Sequence, residues 1–211
     1  MASSRKSKPS LKAKTKAVKR IGLALSGGLD SVVLLDTVCK AVQANAIQEP
    51  TEVWAFHIHH GLQKSADQWL EFCEKLAKKY QVHFDFRLLH FSDKTQGNIE
   101  ARARAERYDA LTDLCIEHGI EDLLLAHHQN DQAETVLLQL LRGAGVAGLS
   151  GMPLHRTNVN QGDPITLWRP LLNQSRAELE AYAKAHKLKW VEDPSNQNTR
   201  YRRNAIRKEI I

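Results

Sequence analysis

The chain has 211 residues, 42% of them hydrophobic and 26% charged, enough for one globular domain of ordinary size or one domain with a short extension. No apolar run approaches the ~18 residues of a membrane span, and no secretory hydrophobic stretch follows the basic start, so the expected setting is cytoplasmic with no membrane partner. The formal charge of +6 is unevenly placed: residues 1–20 hold eight basic side chains and no acid, which leaves the remainder near neutral at −2.

Residues 1–20 are rich in Lys and Ser and poor in apolar side chains. Such a segment cannot bury enough surface to order itself, so a basic disordered tail is expected. Three roles fit it: a solvated leader, an arm that contacts RNA backbone through counterion release, or a transit peptide, although those favour Arg over this run of Lys. Cys39, Cys73 and Cys115 are far apart and form no C-x-x-C. Neither a zinc site nor a redox pair is indicated. A reducing compartment follows, with all three cysteines expected as buried packing residues.

In chain order, residues 21–25 (IGLAL) form a short apolar run suited to a buried strand, and a Gly-containing turn follows. Residues 31–44 have helical spacing. Residues 53–59 (VWAFHIH) read as a second strand. Residues 66–80 place Trp69, Leu70, Cys73 and Leu76 on one helical face. Residues 82–88 alternate as a third strand, 98–117 form a long charged helix, 122–126 (DLLLA) a fourth strand and 132–142 a further helix. Strands alternating with helices of this length predict an α/β fold, a mostly parallel doubly wound sheet with helices on both faces. From Gly143 the texture changes to a Gly-rich connection, then an irregular or hairpin segment over 152–174 with a short strand near Thr166. Ser175 and Glu178 form a capping box for a helix over 175–186. The end, from Glu192, is polar and then basic.

Ser26, Gly27, Gly28, Leu29, Asp30 and Ser31 sit between the first strand and the first helix. In an open parallel sheet, ligands gather at the carboxyl ends of strands. Two glycines permit close backbone approach to an anion. The following helix offers unpaired N–H groups and the positive end of its dipole, and two hydroxyls add donors. A carboxylate beside a polyphosphate repels it unless a cation lies between, so Asp30 suggests Mg2+. The loop lacks the Lys of a Walker A sequence and the spacing of a dinucleotide fingerprint. A plain βα turn with a capping Ser is the structural alternative.

Asp131 and Glu134 are i, i+3 near a helix start and share a face. Two carboxylates there can grip an ammonium group, and one can take a proton from an amine; a solubilising face favoured by the helix dipole is the other reading. His127 and His128 end the fourth strand, where nucleotide or substrate contact and a structural capping role are both open. His57 and His60 frame the end of the second strand, the place for an adenine. A metal site on His57, His59 and His60 lacks an obvious further ligand. Arg104, Arg107, Arg142, Arg203 and Arg207 are candidates to neutralise phosphate or RNA.

The SGGLDS segment resembles the signature of the PP-loop ATP pyrophosphatases, which release pyrophosphate and form adenylated intermediates. The later blocks resemble the tRNA(Ile)-lysidine synthetases in order: residues 57–63 (HIHHGLQ) with 66–69 (ADQW), 97–100 (GNIE), 127–135 (HHQNDQAET), 141–145 (LRGAG), 169–171 (RPL), 192–196 (EDPSN) and 203–207 (RNAIR). The resemblance covers residues 21–211. It implies a ligase that uses ATP to adenylate carbon-2 oxygen of the wobble cytidine in tRNA(Ile) with a CAU anticodon. The ε-amine of free lysine then displaces AMP to form lysidine. It implies ATP contacts from residues 26–31 and His57, a metal on Asp30, lysine recognition by Asp131 and Glu134, and catalytic roles for Asp30, Asp131, Glu134 and Arg203. Members of that family usually continue well past the 203–207 block. The expectation is therefore a catalytic domain over 21–211 without C-terminal tRNA-binding domains, and a homodimer is possible. Two rivals remain: a tRNA 2-thiolation enzyme, disfavoured by the cysteine spacing, and a silent nucleotide- or RNA-binding module, disfavoured by the intact Asp30, Asp131 and Glu134.

Overall fold

The computed structural model describes residues 18–47, 49–59, 66–89, 99–160, 163–193 and 202–210, with the side chains of 99–101, 147, 148, 159, 160, 163 and 202–204 outside the description. In chain order the elements are β1 (Lys19–Ala24), α1 (Leu29–Gln43), β2 (Thr51–His59), α2 (Ala66–Tyr80), β3 (His83–Leu88), α3 (Ile99–Glu117), β4 (Asp122–Leu124), α4 (Gln129–Leu141), a 3-10 turn (Val146–Ser150), β5 (His155–Asn160), β6 (Asp163–Trp168), α5 (Arg176–Ala185) and α6 (Arg202–Glu209).

The described strands form one sheet in the order β3-β2-β1-β4-β6-β5. Neighbours are parallel except the β5–β6 hairpin, which is antiparallel. Alternation sorts the strand side chains onto two faces. Leu23, Leu25 and Ala55 join α1, α2 and α5 in one buried cluster. Phe56, Ile58, Leu123, Leu125, Ile165 and Leu167 join α3 in the other. Both faces are covered, which is why β1 reads as a nearly continuous apolar run. The doubly wound α/β expectation is met.

Several boundaries differ from expectation for physical reasons. β1 begins at Lys19, so the last two residues of the expected tail belong to the sheet. Lys19 pairs with Asp122 at 2.9 Å, and Arg20 pairs with Glu52 at 3.1 Å and donates to the His118 carbonyl at 3.1 Å. Residues 1–17 of the expected tail lie outside the described residues, as do His60, Gly97 and Asn98. β4 has three residues rather than five, although the Leu125 N–H still donates to the Trp168 carbonyl at 2.8 Å. The Gly-rich connection is pinned to α4: the Gln132 amide bonds both the N–H and the carbonyl of Met152, at 2.7 and 2.9 Å.

A buried carboxylate ties the helices of one face together. Asp36 on α1 is 4% exposed and accepts from Tyr80 of α2 and Tyr182 of α5, each at 2.7 Å, with the Lys40 ammonium at 2.8 Å. Burial pushes its carboxyl pKa up, but these hydrogen bonds outweigh that and hold it below the usual range. The clamp fixes α5 against α1, which matters for the site below.

Candidate active site

β1 lies between β2 and β4, and the chain leaves β1 toward β2 but arrives at β4 from the far edge of the sheet. The crevice at the carboxyl ends of β1 and β4 is therefore a topological switch point, where open α/β sheets bind ligands. The glycine loop fills one wall. The Leu25 N–H donates to the Phe56 carbonyl at 2.8 Å, and the Leu25 carbonyl accepts from His57 Nδ1 at 2.8 Å. Gly27 has φ of +87°, and its carbonyl accepts from the Val191 N–H at 3.0 Å. A Cβ there would lie 3.0 Å from Val191 Cγ2 and 3.1 Å from Cys73 Sγ. Gly28 is different: a Cβ would meet only Ser26 Oγ at 3.5 Å, so its bare Cα borders open space. Gly28 is the N-cap of α1 and gives no side-chain capping bond, leaving first-turn N–H groups of α1 without a side-chain cap. Ser26 Oγ and Ser31 Oγ lie 3.1 Å apart, with Ser31 donating to the Gly28 carbonyl at 2.9 Å. Leu29 is 3% exposed and contributes its side chain to the core, so any ligand contact it makes is through its backbone.

This geometry makes Gly27→Ala costly on two counts, a left-handed backbone and a blocked Cβ. Thermal unfolding of the variant should show a loss of about 1–3 kcal/mol. A melting curve matching the unaltered protein would mean that the turn tolerates a side chain.

The second wall is the start of α4. His128 is its N-cap and is 2% exposed. Its Nδ1 accepts from the Asn130 N–H at 3.2 Å, and Asp131 returns a bond by accepting from the His128 N–H at 3.0 Å. With Nδ1 accepting, the ring proton sits on Nε2. That nitrogen lies 3.6 Å from Asp30 Oδ2 and 3.6 Å from Asp131 Oδ2. Burial pushes the imidazole pKa down, but Asp30 and Asp131 outweigh it and raise the net value. His128 thus joins the glycine loop to the carboxylate pair.

Two arginines and the His128 ring close this acidic cluster. Arg207 Nε donates to Glu134 Oε1 at 2.6 Å, and its terminal nitrogen lies 3.8 Å from Asp131. Arg176 lies 3.5 Å from Asp30 Oδ2. Glu134 is 0% exposed, so Asp131 and Glu134 do not form a solubilising face. Two carboxylate oxygens, Asp30 Oδ1 and Glu134 Oε2, are buried without a hydrogen-bond partner. Among the described residues no group of three or more His, Cys, Asp or Glu is arranged to hold a metal. An orphaned Asp30 oxygen beside a glycine loop still fits Mg2+, which is commonly held by one or two carboxylates with substrate phosphates.

The other predicted residues divide. His57 is 4% exposed and spent on the Leu25 carbonyl. Through that bond it sets the backbone just ahead of the loop. Burial lowers its pKa, the Leu25 bond opposing, which favours a neutral ring. His59 bonds Asp67 of α2 at 3.0 Å. Arg104 stacks over Tyr108 on its own helix, with 5.2 Å from guanidinium to ring centre, and Arg107 follows one turn later. Arg142 is exposed at the far end of α4, about 16 Å along the helix from Asp131 at 1.5 Å per residue. Arg207, a candidate for phosphate or RNA, is engaged at Glu134: a fully buried Glu134 requires a counter-charge, and Arg207 supplies it. Arg203 has its backbone in α6, and its side chain lies outside the described residues.

Arg176 and Asn130 escaped the sequence reading. The Arg176 N–H donates to Asn130 Oδ1 at 3.0 Å, and the Gln129 N–H donates to the Gln174 carbonyl at 2.8 Å, so α5 and α4 are joined at their N-termini. One signal was available. A basic residue in the first turn of a helix opposes the macrodipole and calls for a nearby anion.

The N-termini of α1, α4 and α5 thus converge on Asp30 beside a glycine turn, the geometry of an anion-binding α/β domain. The chain belongs to the PP-loop domain family, whose model matches residues 2–211. It is similar to proteins named tRNA(Ile)-lysidine synthase. The one from Ralstonia nicotianae is 50% identical over 190 residues, covering 90% of this chain and 40% of that protein. Those from Hydrogenovibrio crunogenus and Haemophilus ducreyi are 44% and 46% identical, each over 90% of this chain and over 43% and 40% of their own lengths. The chain therefore spans about two fifths of these relatives. Among solved structures, the U34-tRNA thiolase NcsA from Methanococcus maripaludis shares the fold, with a TM-score of 0.69 and 19% identity over 83% of this chain and 60% of that one. No helix of the described residues is long and apolar enough to cross a membrane.

Proposed function

We propose that this chain is the nucleotide-activating part of a tRNA(Ile)-lysidine synthase. The observation that carries the reading is the meeting of Asp30 and Asp131 at His128 Nε2, 3.6 Å from each. It makes the phosphate loop and the carboxylate pair one site, as a two-stage reaction requires. In the first stage the loop and the α1 N-terminus bind the polyphosphate of ATP. The carbon-2 oxygen of the wobble cytidine of the CAU-anticodon tRNA bonds to the α-phosphorus, and pyrophosphate leaves. Asp30 is the residue to hold Mg2+, which supplies positive charge against the departing pyrophosphate. In the second stage Asp131 and Glu134 hold the ε-ammonium of lysine and take its proton. The amine bonds to carbon 2, and the oxygen leaves with AMP. Arg203 is assigned to the same site by its motif, and Arg104, Arg107 and Arg142 to the tRNA backbone.

A thiolation reading draws no support from the cysteines. All three are buried; Cys39 and Cys73 pack on one face of the sheet and Cys115 on the other. Burial pushes the thiols of Cys73 and Cys115 up to about 12 and that of Cys39 to about 11, away from the nucleophilic thiolate.

The test is product analysis with a protein carrying this chain, ATP and the CAU-anticodon tRNA. Pyrophosphate release dependent on the tRNA, with AMP release dependent on lysine, is expected. Cleavage to ADP and phosphate would contradict the assignment.

A further inference from the structure

Asp30 presents a difficulty before any nucleotide arrives. It is a carboxylate at the N-terminus of α1 whose Oδ1 is buried without a partner. Its other oxygen is shared by two groups from distant sequence, His128 and Arg176. Arg176 is not built as a permanent partner. Its contacts with Asp30 and with Glu180 are long, at 3.5 and 3.3 Å, and its side chain is 41% exposed. An exposed pair of that geometry is weak and readily exchanged. The backbone beneath it is the opposite. Its N–H is bonded to Asn130, Ser175 and Glu178 form a reciprocal capping box, and Tyr182 on the same helix is clamped to Asp36 of α1. A weakly held cationic head therefore stands on a fixed stem at the mouth of the glycine loop.

We propose that Arg176 is a polyphosphate ligand of this site: it covers Asp30 while no nucleotide is bound, then transfers its guanidinium to the β- and γ-phosphates. The inference rests on the ATP reading above. A planar guanidinium is suited to bidentate phosphate contact, and the exchange keeps every charge paired. When Asp30 gains a cation it no longer needs Arg176, and the released arginine gains the new negative charge. This accounts for a basic residue in the first turn of α5, where the helix dipole alone disfavours one.

Equilibrium binding of ATP, pyrophosphate and AMP, each with Mg2+, tests the proposal in the unaltered protein, Arg176→Ala and Arg176→Lys. ATP and pyrophosphate should each bind Arg176→Ala about tenfold or more weakly, the scale of one lost charge-assisted hydrogen bond. AMP affinity should be unchanged, and Arg176→Lys should recover part of the loss. Unchanged ATP and pyrophosphate affinity in Arg176→Ala would overturn the proposal. Equal weakening of ATP and AMP would also overturn it, because it would indicate a structural tie between α1 and α5. If the unaltered protein binds neither ATP nor pyrophosphate, the ATP reading itself fails and this proposal with it.

Discussion

Asp30→Ala should lower pyrophosphate release at least about a hundredfold, the scale seen when one preorganised electrostatic contact to a transition state is removed. Asp30 is the only acid in the glycine loop, and its Oδ1 is buried with no hydrogen-bond partner. An anion beside a polyphosphate is counterproductive unless it recruits a cation. On the proposed role, removing it takes away the metal's protein ligand while relieving repulsion in the metal-free state. The variant should therefore retain ATP binding without Mg2+ but lose the gain that Mg2+ brings. Release at the unaltered rate, followed by a coupled pyrophosphate assay, would remove the metal role from Asp30.

Glu134→Ala should raise the KM for lysine about tenfold or more while leaving pyrophosphate release largely intact. The size follows from the charge-assisted hydrogen bonds that a buried carboxylate makes to an ammonium group. The structure makes this sharper than spacing alone. Glu134 is fully enclosed, its Oε1 holds Arg207 at 2.6 Å, and its Oε2 is free of hydrogen bonds. An arriving ammonium has an unsatisfied oxygen to meet, with Asp131 one turn away. Arg207, whose side chain is 37% exposed, can turn to water when its partner is lost, so the fold should tolerate the change. An unchanged KM for lysine, measured with saturating ATP and tRNA, would take Glu134 out of the lysine site.

The parts of the fold that were legible in the sequence are those fixed by local periodicity. The α2 boundaries at Ala66 and Tyr80 follow from its amphipathic spacing, and Ser175 with Glu178 marks the start of α5 as a capping box. The start of α4 was not legible, because its cap is His128, which does not rank among the strong capping residues. The start of β1 is not legible, because Lys19 and Arg20 look like tail until Asp122 and Glu52 are placed beside them. Similarly, 152–174 reads as an irregular or hairpin segment, but its parallel pairing with β4 is a tertiary fact.

For the site, the glycine loop and the Asp131–Glu134 pair were legible because each is a short motif with its own chemistry. What was not legible was their joining through His128, which depends on the parallel order of β1 and β4. The pairing of Arg176 with Asp30 and of Arg207 with Glu134 is illegible for the same reason. The anions that define their tasks lie 146 and 73 residues away in sequence.

The most direct test of the central claim is incorporation of labelled lysine into the CAU-anticodon tRNA by a protein carrying this chain, with the modified nucleoside identified by mass spectrometry. The account predicts one lysine joined to the wobble cytidine, dependent on ATP and absent with Asp30→Ala. Incorporation of sulfur at that anticodon, or ATP-dependent release of pyrophosphate with no lysine entering the tRNA, would contradict it.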